Sequence, residues 1–387
     1  MKSFYLGLIL ISISLQSQTK KDPEHYAYPL ENSYQPLHVR VNAVLLKRND
    51  GTGNFDLNNK EEKEIFYEYL NNNNYGFGHL VKPDGDMSEC GNVTEFMPDT
   101  KIRIDFNVIE VRNTYYWNYL NSGSVPEEKK FIGFTPSENW YIKPLDDSIS
   151  NLNIPKAINI YFTENGKRFD DLLKKKGEGY DVAANRGGEF PSTTKLTRSS
   201  QIHIPNLYMS YIMQRYQSPK NYNTTWSETK NWWLGGVGVI HEFGHDFGLS
   251  HSSEYYKTNK CIYTVMNQKG DAKRNWLPPN EIRKMHWYMT RTNLIQFVTP
   301  ESAYGASWVL NEDTEWKKTM RFYHNFELAK DVTLTISDSI ILPPQSYVKL
   351  NKNSKIIFKG KGKIVDAYGK EYKNFELNKT AKIIYEP

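Results

Sequence analysis

The stretch His241-Glu242-Phe243-Gly244-His245-Asp246-Phe247-Gly248-Leu249-Ser250-His251 is the most informative part of this 387-residue chain. It fits H-E-x-x-H-x-x-G-x-x-H at every position. On a helix, His241 and His245 lie one turn apart on one face, so their imidazoles can converge on a single metal ion. Glu242 follows the first of them and is placed to serve as a general base at the metal's open position. Gly248 is where such a helix can stop, because glycine accepts the positive φ that most residues avoid. The chain then turns and brings His251 back as a third ligand. Three imidazoles and one open position are the arrangement of a catalytic zinc, not of a closed structural one.

The approach to this motif, Trp232 to Ile240, is apolar almost throughout, as a helix buried in the centre of a domain should be. Gly235, Gly236 and Gly238 lower its helix propensity. They mark either a close packing contact or the start of the helix.

Working outward, residues 1–18 read as an export signal. Lys2 supplies the positive charge, and the apolar run Phe4 to Leu15 is too short to span a bilayer. Ser17-Gln18-Thr19 gives a small-residue exit, and no second apolar run approaches transmembrane length. The expectation is an exported protein with no membrane span, secreted or, as the alternative, held in the periplasm, whose catalytic region covers 19–299. Whether residues before about 35 form a pro-segment stays open. Hydrophobic content of 39% and charged content of 24% are ordinary for a soluble globular chain. The net charge of +5 is spread thinly; Lys129-Lys130 and Lys174 to Lys176 read as solvated loop faces, so no nucleic-acid partner is expected. The two cysteines, Cys90 and Cys261, can pair in an exported protein, tying the first half to the segment beyond the motif.

The pattern along the chain is α/β. Strands are expected at His38 to Val44, Lys101 to Val108 and Ala157 to Phe162, with short ones at Gly179 to Ala184 and Ser200 to Ile204. Asp50-Gly51-Thr52-Gly53 is a turn; Asn59 to Leu70 is a charged amphipathic helix that Asn71 to Asn74 terminates. Residues 113–152 and 164–198 read as long polar loops around a cleft. After the motif come Met266 and a helix with Asn280 near its start; His286 on that helix reads as a packing or capping residue rather than a ligand. From residue 300 to 387 short alternating segments, Val332 to Ile336, Ser346 to Leu350 and Ser354 to Phe358, indicate a small all-β module without catalytic groups. Its expected role is support, or contact with a cell surface or polymer.

With Met266 following the motif, the chain resembles the metzincin clan of zinc metallopeptidases. Within it the chain is most similar to pappalysin-type enzymes exported by bacteria, on the strength of Asp50 to Phe55, Lys101 to Phe106 and the Pro-x-x-Ile-x-x-Met-His pattern ending at His286. The resemblance covers about residues 35–295; the C-terminal module resembles β-solenoid-like accessory pieces in outline. It implies a mixed twisted sheet with an active-site helix, one catalytic zinc on His241, His245 and His251, and a methionine turn at Met266 beneath the ligands. It implies hydrolysis of a polypeptide substrate bound along an edge strand, for which Gly179 to Ala184 is the candidate. Whether the chain also holds a structural calcium ion stays open on sequence. Cys90 as a cap on the metal, as in latent matrix-type enzymes, is disfavoured because its flanking residues do not reproduce their longer motif. Many members of the clan place a tyrosine two residues after the turn methionine, where it stabilises the oxyanion; here that position is Gln268. Two further readings stay open on sequence: a zinc hydrolase of non-peptide amides, and an adhesin or binding protein built on the same scaffold. The retained Glu242 argues against the second.

Overall fold

The computed structural model describes residues 28–82, 95–119, 143–164, 170, 187–188, 201–205, 207–209, 211–212, 237–251, 264–267 and 275–387. The export signal, Cys90, Cys261, Gln268, the Gly179–Ala184 segment, Trp232 to Gly236 and the two lysine runs lie outside these residues.

The first half is a mixed five-stranded sheet. Strands β1 (Leu37–Lys47), β2 (Ile102–Arg112), β3 (Ile158–Thr163), β4 (Gly187–Gly188) and β5 (Gln201–Pro205) lie in the order β2-β1-β3-β5-β4. All pairs are parallel except β4 on β5, which is antiparallel and forms one edge. Strand β3 is buried at every position, its polar Asn159 and Thr163 included, as a strand covered on both faces should be. One polar row crosses the sheet in register: Asn107 donates to Asn42 (3.1 Å), Asn42 to Asn159 (2.9 Å) and Asn159 to Asp146 (2.8 Å). Asp146 belongs to helix α3 (Lys143–Ser150), which follows a short helix α2 (Thr114–Tyr119). Each buried amide is thereby satisfied by its neighbour, and a slip of register would break the row.

Helix α1 (Lys60–Gly78) begins where the sequence indicates, with Asn59 accepting the N–H groups of Glu61 and Glu62. It does not stop at the asparagine run. Asn73 donates back to the carbonyls of Tyr69 and Leu70, and Asn74 both accepts from the Ile104 N–H and donates to the Ile104 carbonyl (2.9 Å). Tertiary partners on β2 thus override the weak helix propensity of asparagine. The extra turn carries Gly76, where a β-carbon would overlap the side chain of Ile240. Helix α4 (Val237–Asp246), the helix of the histidine motif, therefore packs directly on α1. Helix α5 (Pro279–Arg291) follows, with proline at its first turn.

Residues 307–386 form a second, separate hydrophobic core. Strands β6 (Ser307–Leu310), β7 (Thr314–Trp316) and β8 (Met320–Arg321) make one coil. The next coils are β9 (Asn325–Leu328), β10 (Thr333–Ile336) and β11 (Ser339–Leu342), then β12 (Val348–Leu350), β13 (Lys355–Lys359) and β14 (Lys363–Asp366), then β15 (Phe375–Leu377) and β16 (Lys382–Glu386). Every third strand stacks in parallel, giving three sheets: β15-β12-β9-β6, β16-β13-β10-β7 and β14-β11-β8. Identical positions superpose from coil to coil, as in the column Leu310, Leu328, Leu350, Leu377. The module is all-β, as its short alternating segments indicate, and it is a parallel coil because each sheet collects one strand from each turn.

The two cores are joined by Arg321. Its guanidinium donates to the carbonyls of Ile295 (3.1 Å), Val298 (2.7 Å), Thr299 (2.5 Å) and Pro300 (3.4 Å), which follow α5. Tyr304 and Tyr323 belong to the first core, and the Tyr323 hydroxyl donates to the Met289 carbonyl (2.7 Å).

Candidate metal centre

The end of α4 is built by the glycine turn. Gly248 has φ +91°, its N–H donates to the His245 carbonyl (2.9 Å), and the Leu249 N–H donates to the Gly244 carbonyl (2.8 Å). These two bonds are the Schellman pair that closes a helix on a left-handed residue. A β-carbon at Gly248 would also run into the ring of Tyr288 on α5, so two constraints select glycine there. The turn reverses the chain and delivers His251.

The three histidines come together. His241, His245 and His251 present ligand atoms that all lie within 4.8 Å of one another. His245 Nε2 and His251 Nε2 are 3.2 Å apart. A tetrahedron with metal–nitrogen bonds of about 2.0–2.1 Å has an edge of about 3.3 Å, so this spacing fits two ligands of one ion. The other ring nitrogens are held from behind: His241 Nδ1 lies 2.8 Å from the Val265 carbonyl, and His245 Nδ1 lies 2.8 Å from the Leu249 carbonyl. A carbonyl only accepts, so each Nδ1 carries the proton and each Nε2 offers its lone pair toward the centre. Burial pushes the His245 imidazole below its usual range, opposed by the Leu249 carbonyl and reinforced by His251. A neutral imidazole is the form a metal takes. The donor set and its geometry therefore fit a metal ion.

Glu242 is buried on the same helix, adjacent to His241. Met266 is wholly buried in the turn Thr264 to Asn267, which the Asn267 N–H closes on the Thr264 carbonyl (3.1 Å). It packs against Gly244, where a β-carbon would overlap its sulfur. The same turn supplies the Val265 carbonyl to His241, so one segment supports both the helix and a ligand. His286 lies elsewhere: its ring bonds Tyr304 Oη (2.6 Å) and the Thr100 carbonyl (2.7 Å) in the interior.

Sequence reasoning missed the carbonyls of Val265 and Leu249, since backbone atoms leave no mark in residue identity. It also missed β4 as the edge strand, because Gly187-Gly188 has no apolar pattern. Helix α4 makes contact with β4 and β5, so this edge borders the histidine helix. Compared with protein-family models and with curated proteins, the chain matches none.

Proposed function

We propose that the chain is a secreted zinc-dependent endopeptidase of the metzincin kind, cleaving polypeptides with Glu242 as general base. The observation that carries this reading is the convergence of His241, His245 and His251, two of which (His241 and His245) turn their Nδ1 atoms to backbone carbonyls, next to a buried carboxylate. His241, His245 and His251 would hold the ion, which when bound supplies Lewis acidity toward a water and a substrate carbonyl.

The chain's own groups account for the remaining chemistry. The Glu242 carboxylate accepts a proton from the attacking water as the new carbon–oxygen bond forms. It returns that proton to the departing amide nitrogen as the carbon–nitrogen bond breaks, leaving a carboxylic acid and an amine. The outer edge of β4 is unpaired among the described residues and offers backbone groups to an extended substrate. Met266 and Gly244 keep the helix and the turn in contact, which holds His241 against the Val265 carbonyl.

Glu242→Gln keeps the side chain's size but cannot accept the proton. Metal content should stay stoichiometric while hydrolysis of an unstructured protein falls by about 10²–10⁴-fold or more. His245→Ala should lose both metal and activity. A Glu242→Gln variant that keeps its zinc and cleaves within a few-fold of the parent would overturn the assignment of the base. A parent that hydrolyses only non-peptide amides would overturn the substrate class.

A further inference from the structure

The coil module ends its described stack on an edge with no described strand beside it, in which Ile383, Ile384 and Tyr385 lie between the charged Lys382 and Glu386. In the column Trp316, Ile336, Phe358, Tyr385, the first three side chains are buried, and Tyr385 is 77% exposed although its ring still stacks on Phe358. In the column Leu310, Leu328, Leu350, Leu377, the first three are buried and Leu377 is 52% exposed. These positions are filled by core residues, yet no described strand covers them. The edge carries a lysine and a glutamate at its two ends, with Pro387 beyond them, and keeps its apolar residues between.

The backbone of β16 states which groups remain available. The Lys382 N–H donates to the Ser354 carbonyl, and the Glu386 carbonyl accepts from the Gly360 N–H. Residues 382, 384 and 386 therefore direct their backbone groups inward to β13, and Ile383 and Tyr385 direct theirs to the open edge. The sequence of the strand is Lys382-Ile383-Ile384-Tyr385-Glu386. Read against its own reverse, it is self-complementary: Lys382 meets Glu386, Ile383 meets Tyr385, and Ile384 meets itself.

We infer that the open edge of β16 pairs antiparallel with the same strand of a second copy of this chain, centred on Ile384. In that register Ile383 and Tyr385 of opposite strands form the hydrogen-bonded pairs and exchange both of their N–H···O bonds. Lys382 and Glu386 fall at the non-hydrogen-bonded positions, where side chains approach most closely. A two-fold axis repeats every contact, so each charge pair occurs twice. The exposed Tyr385 gains Ile383 of the other copy as its cover.

The test is the mass of the full chain in solution, by sedimentation equilibrium between about 1 and 100 µM, a range that brackets weak self-association. The parent should show a monomer–dimer equilibrium. Lys382→Glu or Glu386→Lys alone places like charges opposite each other at both ends and should weaken the dimer at least about tenfold. The double variant Lys382→Glu/Glu386→Lys restores opposite charges and should restore dimerisation. A parent that stays monomeric over the range overturns the proposal and leaves the edge to a strand of a different protein. Single variants that dimerise like the parent, or a folded double variant that does not, overturn the antiparallel register.

Discussion

Gly244 and Met266 occupy one another's space: the glycine has no side chain where the methionine sulfur lies. Gly244 sits on α4 between the first two histidines, and Met266 sits one residue after the carbonyl that holds His241. Gly244→Ala should force the turn away from the helix, at the cost of overpacking a wholly buried site, about 1–3 kcal/mol. Metal affinity should fall with stability, because His241 and its Val265 partner are carried by the two parts that separate. The double variant Gly244→Ala/Met266→Ala should lose less than the sum of the singles, measured by thermal unfolding and metal titration. Strict additivity would show that the two residues do not act on each other.

Arg321 is the latch between the two cores. It is buried and meets four backbone carbonyls, so its removal leaves them without their donors. Arg321→Met should destabilise the junction by about 3 kcal/mol or more. Unfolding followed by calorimetry should change from one transition to two, as each hydrophobic core melts by itself. An unchanged single transition would show that Arg321 does not couple them.

Stability should depend on pH in opposite senses at two buried sites. Burial pushes His286 down to about 4, against the Thr100 carbonyl, and pushes His324 down to about 3, against the Pro29 carbonyl. Both rings are neutral when folded and take up protons on unfolding once the pH is below about 6.5. Their contribution is complete above that pH and is lost progressively as the pH falls to 4 and then 3. Glu281 behaves in reverse. Burial, opposed by Lys284, raises its carboxyl to about 8, so the folded form keeps the proton. Its contribution is complete below about 4.5 and is lost as the pH rises through 8. Glu281→Gln should therefore raise the urea midpoint at pH 8 and leave it nearly unchanged at pH 4. Equal shifts at both pH values would refute the assignment.

What the sequence determined by itself is local. The four-residue spacing of His241 and His245 places them on one helical face wherever that helix lies, and Gly248 stops the helix because only glycine takes φ +91° without strain. The alternation in Val332 to Ile336 reads as strand for the same reason, since side-chain direction follows backbone periodicity. What the tertiary structure decided are the partners. Asn71 to Asn74 carry a breaker's composition, yet the helix continues through them because Asn74 finds the backbone of Ile104. The carbonyls of Val265 and Leu249 orient the rings, although no side chain identifies them. The short strands after residue 306 stack into a parallel coil through hydrogen bonds between residues distant in sequence. Local geometry is written in the spacing of side chains, whereas backbone groups are the same in every residue and reveal their partners only once the chain has folded.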